Sequence, residues 1–237
     1  MKVIQRQLGF TLVEMAVVLV ILGFLITAFL LPLKAQRDVS FQLETQRTLE
    51  NAKKAIIGYA QTNGRLPCPA TNNGGAFPDD TGSSNPIGSG ACVLPVGFLP
   101  ATTLGIQPTD EQGFAVDAWN NRIRYAVTVA NGDAFTTTNG MDSVGIAALT
   151  PNLRVCPSSN CATSLITNAP IVIYSLGPTG GEPSGGLDET ENLDIDNDFV
   201  SHTPTSAGVP NGEFDHIVTW LSPYVLYNAM IEAGQIH

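Results

Sequence analysis

The feature that most constrains this chain is an apolar run close to its start. From Phe10 to Leu33 the sequence is almost wholly hydrophobic. A helix of about 24 residues is about 36 Å long, enough to cross a hydrocarbon core of about 30 Å. The basic stretch 1–9 precedes it. The pattern predicts a membrane-spanning helix at 10–33. The alternative is a cleaved secretory signal, whose apolar region is normally about 7–15 residues long.

One carboxylate lies inside this run. Glu14 follows Phe10 by four residues, about one helical turn. A charged side chain at the centre of an apolar segment costs about 2.5–3.5 kcal/mol on insertion scales, so its presence needs an explanation. The simplest explanation is that an acidic residue in the first turn is favoured by the helix dipole.

The stretch Gly9-Phe10-Thr11-Leu12-Val13-Glu14 resembles the prepilin cleavage signature of type IV pilins and type II secretion pseudopilins. The resemblance implies that prepilin peptidase cuts after Gly9 and methylates Phe10. It also implies an assembly role for Glu14. The new α-amine has a reference pKa near 8 and is largely charged at neutral pH. At about 4 Å and an effective dielectric of 20, its attraction to Glu14 of a neighbouring subunit is about 4 kcal/mol before desolvation.

Apolar residues at spacings of three and four predict that the helix continues beyond the membrane. They are Val39, Leu43, Leu49, Ala52, Ile56 and Tyr59. On the opposite face, Glu50 and Lys54 have the spacing of an ion pair, and Gly64 suits a helix C-cap. The expected division is a leader at 1–9, a transmembrane and assembly helix at 10–33, an amphipathic continuation at 34–64 and a globular head at 65–237.

The head is predicted to be rich in strands and loops. Charged residues make up 14% of the chain, which also has 23 glycines and 16 prolines. This composition favours β structure over a helical bundle. Strands are expected at 122–128, 143–149, 171–176 and 217–221, and a short helix after Ser222. Strands joined by turns predict an antiparallel sheet laid against the long helix. The fold class is therefore α+β, and the resemblance implies the type IV pilin-like fold.

Two further stretches resemble the pseudopilin branch of that family. Asp117-Ala118-Trp119-Asn120 is similar to its Asp-x-Trp-Gly turn, which enters a strand. Asn120 stands where the family has Gly, and Asn tolerates the left-handed conformation that such a turn needs. The stretch from Ile173 to Gly177 is similar to the strand that precedes the family's acidic loop.

Four cysteines indicate two disulfides. They are Cys68, Cys92, Cys156 and Cys161, and an even number in a loop-rich exported domain favours bridges. Three pairings are possible. We favour the local one, Cys68 with Cys92 and Cys156 with Cys161. A zinc site is the alternative, but the chain has no Cys-x-x-Cys spacing and its three histidines are distant in sequence.

The acidic stretch 188–199 is a candidate calcium loop. Alternating Asp194, Asp196 and Asp198 supply the hard oxygen ligands that Ca²⁺ prefers. Major pseudopilins carry a calcium-binding loop after the corresponding strand, so the resemblance implies the same here. The stretch lacks the Gly and the distal Glu of an EF-hand loop. A solvated acidic loop without a metal is the alternative.

The remaining signals favour a structural role. A formal net charge of −10 disfavours nucleic acid as a partner. His202 and His216 accompany no nucleophile elbow, phosphate loop or metal-binding helix motif, so no enzymatic activity is expected. We expect a structural subunit of a type IV pilus-like filament, a minor pilin because its head is large. The alternatives are a pseudopilin of a type II secretion system and a surface adhesin or binding head.

The resemblance also implies where the protein is and what it meets. It implies a single-pass protein of the bacterial inner membrane with a periplasmic head, and a filament or cell-surface location after assembly. The implied partners are prepilin peptidase, other pilin or pseudopilin subunits and the inner membrane.

Overall fold

The structure is a computed structural model that describes residues 11–71, 82–86, 88–180 and 186–237, with the backbone alone at 27–35. The chain divides into two compact units, 1–41 and 42–237. The helices are α1 (Leu12–Asn63), α2 (Ala101–Leu104), α3 (Ala130–Asp133), α4 (Gly140–Val144), α5 (Leu187–Glu191) and α6 (Pro223–Glu232). The strands are β1 (Val96–Phe98), β2 (Arg124–Val127), β3 (Leu153–Cys156), β4 (Ile166–Ala169), β5 (Ile171–Ser175), β6 (Asp198–Val200) and β7 (Ile217–Trp220).

The end of α1 follows from one glycine. Gly64 has φ 64°, a left-handed conformation that costs glycine little, and its N–H donates to the Ala60 carbonyl at 2.9 Å. The predicted C-cap is therefore confirmed. In the second unit, Leu49, Ala52 and Ile56 form the buried face of α1, as the periodicity predicted.

Three parts of that helix prediction are wrong. Val39 and Leu43 are 56% and 48% exposed, so neither extends the buried face. Glu50 pairs with Lys53 at 2.8 Å and not with Lys54. Tyr59 is only half-buried, with the guanidinium of Arg65 5.3 Å from its ring centre. The buried face of α1 is rotated slightly about the helix axis from the predicted one. Thr45 and Ala60 complete it, rather than Leu43 and Tyr59.

The first sheet has the strand order β1-β2-β5-β7, with every neighbouring pair antiparallel. The predicted strands at 122–128, 171–176 and 217–221 are confirmed as β2, β5 and β7. α6 begins at Pro223 after Ser222, as expected. The α+β class with a helix followed by an antiparallel sheet is thus confirmed.

A second sheet, β4-β3-β6, was not expected. β3 pairs with β4 antiparallel and with β6 parallel. The strand predicted at 143–149 is wrong, because α4 and a 3₁₀ turn at Ile146–Ala148 occupy this stretch. Gly145, with φ 80° and ψ 143°, separates the two turns. A short apolar run does not reveal by periodicity whether it is strand or helix.

Alternation along β5 divides the second unit into layers. Ile171 and Ile173 belong to a helix-side cluster that also contains Leu49 and Ile56 of α1. Val172 and Tyr174 belong instead to a far-side cluster formed with the second sheet, including Val155 and Phe199. Successive side chains of a strand point to opposite faces, so α1 and the second sheet cover opposite faces of the first sheet.

Candidate functional site

Glu14 takes part in a reciprocal cap at the start of α1. Thr11 N and Thr11 Oγ1 each donate to Glu14 Oε2 at 2.9 Å, and Glu14 N donates to Thr11 Oγ1 at 3.2 Å. This is a capping box, in which two orphan donors of the first turn are satisfied at once. The carboxylate therefore has a local partner within a single chain. Gly9 and Phe10, the predicted processing residues, lie outside the described residues.

The first unit exposes a large apolar surface. Every large hydrophobic side chain described from Leu12 to Ile26 is at least 47% exposed. Contiguous apolar patches of this kind mark contact with a membrane or with another protein. Among the residues that the structure describes, no helix contains a stretch apolar and long enough to span a membrane.

The cysteines form two bridges, each local in sequence. Cys68 is joined to Cys92 and Cys156 to Cys161, which is the pairing favoured above. All four cysteines are in disulfides, so none of them is free to bind zinc. Each bridge stabilises the fold mainly because it reduces the conformational entropy of the unfolded chain.

The two pseudopilin-like stretches contact each other. Asp117 is buried, and its Oδ1 accepts from the backbone N–H groups of Trp119 and Asn121 at 2.9 and 2.8 Å. Its Oδ2 accepts from Ser175 Oγ at 2.5 Å. Asn120 has φ 69°, so the left-handed turn expected there is present. Burial raises the pKa of Asp117, against the effect of these hydrogen bonds.

The acidic loop gathers a different set of carboxylates from the one predicted. Oxygens of Glu191, Asp194 and Asp196 lie within 4.8 Å of one another. Asp198, the third predicted ligand, is instead paired with Arg154, whose Nε donates to it at 2.6 Å. Burial first, and then the neighbouring carboxylates, raise the pKa of both Glu191 and Asp194. Arg154 also interacts electrostatically with Asp196 and Glu191, so part of the negative charge is already offset. The converging carboxylate oxygens are of the kind that Ca²⁺ prefers as ligands.

A second cluster, which was missed from the sequence, combines the buried Glu189 and His216 with the half-buried Asp215. One potential ligand atom from each residue lies within 4.8 Å of the others. Glu189 Oε2, Asp215 Oδ1 and His216 Nε2 have no hydrogen-bond partner among the described residues. Burial, helped by Asp215 and Glu213, raises the pKa of Glu189 to about 7. Burial lowers the pKa of His216 to about 4, with Arg124 adding to the effect. Because Glu189 and Asp215 are 26 positions apart in sequence, no local pattern indicates the cluster.

The hydrogen bonds of Asn192 decide which nitrogen of His216 carries the proton. Val200 N donates to Asn192 Oδ1 at 2.7 Å, and Asn192 Nδ2 donates to Val200 O at 3.0 Å. The amide orientation is thereby fixed, so Nδ2 directs its second hydrogen to His216 Nδ1 at 3.1 Å. The neutral ring then carries its proton on Nε2. A metal would bind through a ring nitrogen that has a free lone pair. Nε2 carries the proton and Nδ1 accepts from Asn192, so His216 does not fit a metal ligand in this arrangement.

His202 lies between two acceptors. Its Nδ1 is 2.7 Å from the Thr203 carbonyl and its Nε2 is 3.2 Å from Asp188 Oδ2. Both partners are acceptors, and the two contacts hold the ring in place between Thr203 and Asp188. Asp188 is buried, which favours a higher pKa, but bonds from Ser159 N, Asn211 and His202 lower its pKa overall. This histidine therefore connects α5 to the segment that follows β6.

Comparison with known proteins gives one match. Residues 4–30 match the family described as "Prokaryotic N-terminal methylation motif". The chain therefore carries the prepilin signature of type IV pilin-like proteins. This motif implies processing by prepilin peptidase, assembly with other pilin subunits, and a membrane-anchored or surface-filament location. No curated protein and no solved structure matches the chain.

Proposed function

We propose that this chain is a structural subunit of a type IV pilus-like filament, a minor pilin. Prepilin peptidase cuts it after Gly9 and methylates Phe10, and the helix starting at Phe10 anchors it in the bacterial inner membrane with the head in the periplasm. The observation that carries the proposal is the methylation motif at 4–30. The apolar surface from Leu12 to Ile26 supports it, because such a surface requires lipid or other helices around it.

The proposal gives Glu14 two successive partners. In the single chain its carboxylate is held by Thr11. In the filament the α-amine of Phe10 on a neighbouring subunit becomes its partner. A charge among apolar helices is costly unless an opposite charge lies beside it. The pairing of Glu14 with the α-amine would therefore fix the axial position of each incoming subunit.

The chain acts in this proposal as the substrate of a peptidase and as a building block, with no catalysis of its own. The contacts of the buried His216 and the half-buried His202 are consistent with this role. His216 directs its Nδ1 to Asn192, and His202 is paired with Asp188. Both rings are therefore engaged in packing the loops that surround α5.

A pseudopilin of a type II secretion system is the second candidate. The contact between Asp117 and Ser175 favours it, since it joins the two stretches that resemble that branch. Gene neighbourhood separates the two, because pilus-assembly genes and secretion genes cluster differently. A surface adhesin is the third candidate, and binding of the protein to candidate surfaces tests it.

Intact mass of the membrane-extracted protein tests the proposal. We expect a chain that lacks residues 1–9 and carries one added methyl group on Phe10. A chain that starts near Gln36 would indicate a cleaved secretory signal. An uncut leader would contradict processing by prepilin peptidase. Either result would remove the basis for filament assembly through the N-terminal helix.

A further inference from the structure

The strand β7 lies at one edge of the first sheet. Within the described residues, neither a strand nor an isolated bridge lies along its outer side. The opposite edge is different, because Ala70 and Phe98 of β1 exchange backbone hydrogen bonds of 2.8 and 2.9 Å. The chain's own backbone therefore covers β1 at Phe98, whereas no segment that the structure describes covers β7.

The register with β5 shows which residues of β7 face outward. In an antiparallel pair, hydrogen-bonded and non-hydrogen-bonded positions alternate along each strand. Leu221 N donates to Ile171 O at 3.3 Å, so the residues two and four positions before Leu221 are also hydrogen-bonded to β5. The N–H and C=O groups of Val218 and Trp220 therefore point away from β5. These groups form the outward edge of β7.

The sequence of β7 does not protect this edge. Proteins shield exposed edges with charged side chains, proline, bulges or covering segments. β7 reads Ile-Val-Thr-Trp, without a charge or a proline, and its register with β5 is unbroken. In the second sheet, by contrast, β6 begins with the charged Asp198 and β4 pairs with β3 through a register shift. All four residue types of β7 favour strands, so β7 is suited to accept a further strand.

A cavity lies beside the first half of this edge. It has a volume of about 310 Å³, and its lining includes Ile217 and Val218 of β7, Gln42 and Gln46 of α1, and residues 201–204. The polar groups of this lining are amides, hydroxyls and an imidazole. The cavity can therefore hold a polar side chain of a segment that lies along β7.

The two faces of the edge define the chemistry of a partner. On the helix side, Thr219 Oγ1 donates to Glu50 Oε1 of α1 at 3.4 Å, next to the polar cavity. On the far side, Val218 and Trp220 pack against the far-side cluster. An added strand would therefore direct polar side chains toward α1 and apolar side chains toward the second sheet.

We propose that the outward edge of β7 accepts an extended segment of a different filament subunit, which joins the first sheet as an additional strand. Main-chain hydrogen bonds to Val218 and Trp220 supply the affinity, and the alternating side chains of the segment supply the specificity. The inference rests on the proposed function and deepens it, since it names the surface of the head that meets a neighbour. The partner is a different subunit because a minor pilin is present in few copies.

Hydrogen exchange of the full chain, free in detergent and assembled in filaments, tests the docking. In the free chain, exchange should be fast at the outward N–H groups of Val218 and Trp220. It should be slow at Ile217 and Thr219, whose N–H groups bond to β5. In filaments, exchange at Val218 and Trp220 should slow by about tenfold or more, because a new strand protects these groups.

Two substitutions test the edge and the cavity separately. Val218→Pro removes one outward N–H, and Val218→Ala is its matched control, which keeps that N–H. Val218→Pro should enter filaments about tenfold less than Val218→Ala, and thermal unfolding checks that both variants fold. Gln46→Trp fills the cavity without changing β7 and should lower incorporation similarly. Asn51→Trp, on the same helix but outside the cavity lining, should not.

The outcomes separate this inference from the proposed function. A processed chain that enters filaments with unchanged exchange at Val218 and Trp220 overturns the docking inference and leaves the filament proposal in place. Equal incorporation of Val218→Pro and Val218→Ala has the same meaning, as does equal incorporation of Gln46→Trp and Asn51→Trp. Slow exchange at both outward groups in the purified chain alone also overturns the inference, since it indicates pairing between two copies. An unprocessed chain that enters no filament overturns the proposed function itself.

Discussion

Ser175 Oγ donates a 2.5 Å hydrogen bond to the buried Asp117 Oδ2. The contact ties the turn before β2 to the end of β5, and these two strands are neighbours in the first sheet. Asp117 also holds its own turn through the N–H groups of Trp119 and Asn121. One carboxylate thus closes a turn and fixes it to the adjacent strand.

Removal of this carboxylate should destabilise the second unit strongly. Asp117→Ala leaves the Ser175 hydroxyl and two backbone donors without their acceptor, and we expect a loss of about 2–4 kcal/mol in the free energy of unfolding. Denaturant unfolding of the full chain in detergent measures it. Glu111→Ala, at an exposed carboxylate, is the matched control and should change stability by less than about 0.5 kcal/mol. Equal effects would show that Asp117 is not central to this region.

Stability should depend on pH through Glu189 and His216 with opposite signs. The pKa of Glu189 is raised from 4.5 to about 7, so its contribution is full below about pH 4.5 and is lost as pH rises through about 7. The pKa of His216 is lowered from 6.5 to about 4, so its contribution is full above about pH 6.5 and is lost as pH falls through about 4.

Glu189→Gln should therefore change the shape of the pH profile. The Glu189 contribution to stability falls between pH 4.5 and 7, and the variant lacks it, whereas the His216 contribution rises with pH and is kept. The free energy of unfolding of the variant should therefore rise more steeply with pH in this range than that of the unmodified chain. Chemical unfolding at a series of pH values measures this slope. Glu111→Gln should leave the profile unchanged. Parallel profiles for Glu189→Gln and the unmodified chain would refute the assignment of a high pKa to Glu189.

The two disulfides should contribute unequally. The bridge Cys68–Cys92 spans 24 residues of sequence and Cys156–Cys161 spans 5. Because the longer closed loop restrains the unfolded chain more, replacing Cys68 and Cys92 by Ser should cost about 3.5 kcal/mol, against about 2 kcal/mol for the other pair. Thermal unfolding of the two double variants gives the order. A larger loss from the shorter loop would contradict this reasoning.

The family resemblance implies that the acidic loop binds calcium, and the structure brings together Glu191, Asp194 and Asp196 as potential ligands, so calcium should stabilise the loop. At fixed ionic strength, excess chelator should lower the unfolding temperature, and added Ca²⁺ should restore it. A variant with Asp194→Asn and Asp196→Asn should lose this response, whereas Asp198→Asn should keep most of it, since Arg154 already pairs with Asp198. An unfolding temperature that is insensitive to chelator would exclude calcium.

The sequence predicted correctly those elements whose pattern lies within a few consecutive residues. The continuous apolar run of β5, the alternation of β2 and the cap at Gly64 are each readable within a few residues. The second sheet was not predictable in this way, because β3 pairs in parallel with β6 across a long stretch of chain.

The candidate sites show the same division between local and distant information. Alternating aspartates indicated ligands at 194, 196 and 198, but Arg154 is distant in sequence and removes Asp198 from that set. The Glu189–Asp215–His216 cluster exists only because α5 packs beside the residues that precede β7. A single sequence contains no local pattern that indicates a contact between residues so far apart in the chain.

Incorporation of a Glu14 variant into filaments tests the central claim most directly. Glu14→Leu keeps the cleavage site and the apolar character of the helix while it removes the charge, and Val13→Leu is a matched control in the same turn. We predict that both variants lose residues 1–9, that Val13→Leu enters filaments normally, and that Glu14→Leu stays in the membrane. Filaments containing Glu14→Leu in the amount found for the unmodified chain would contradict the account.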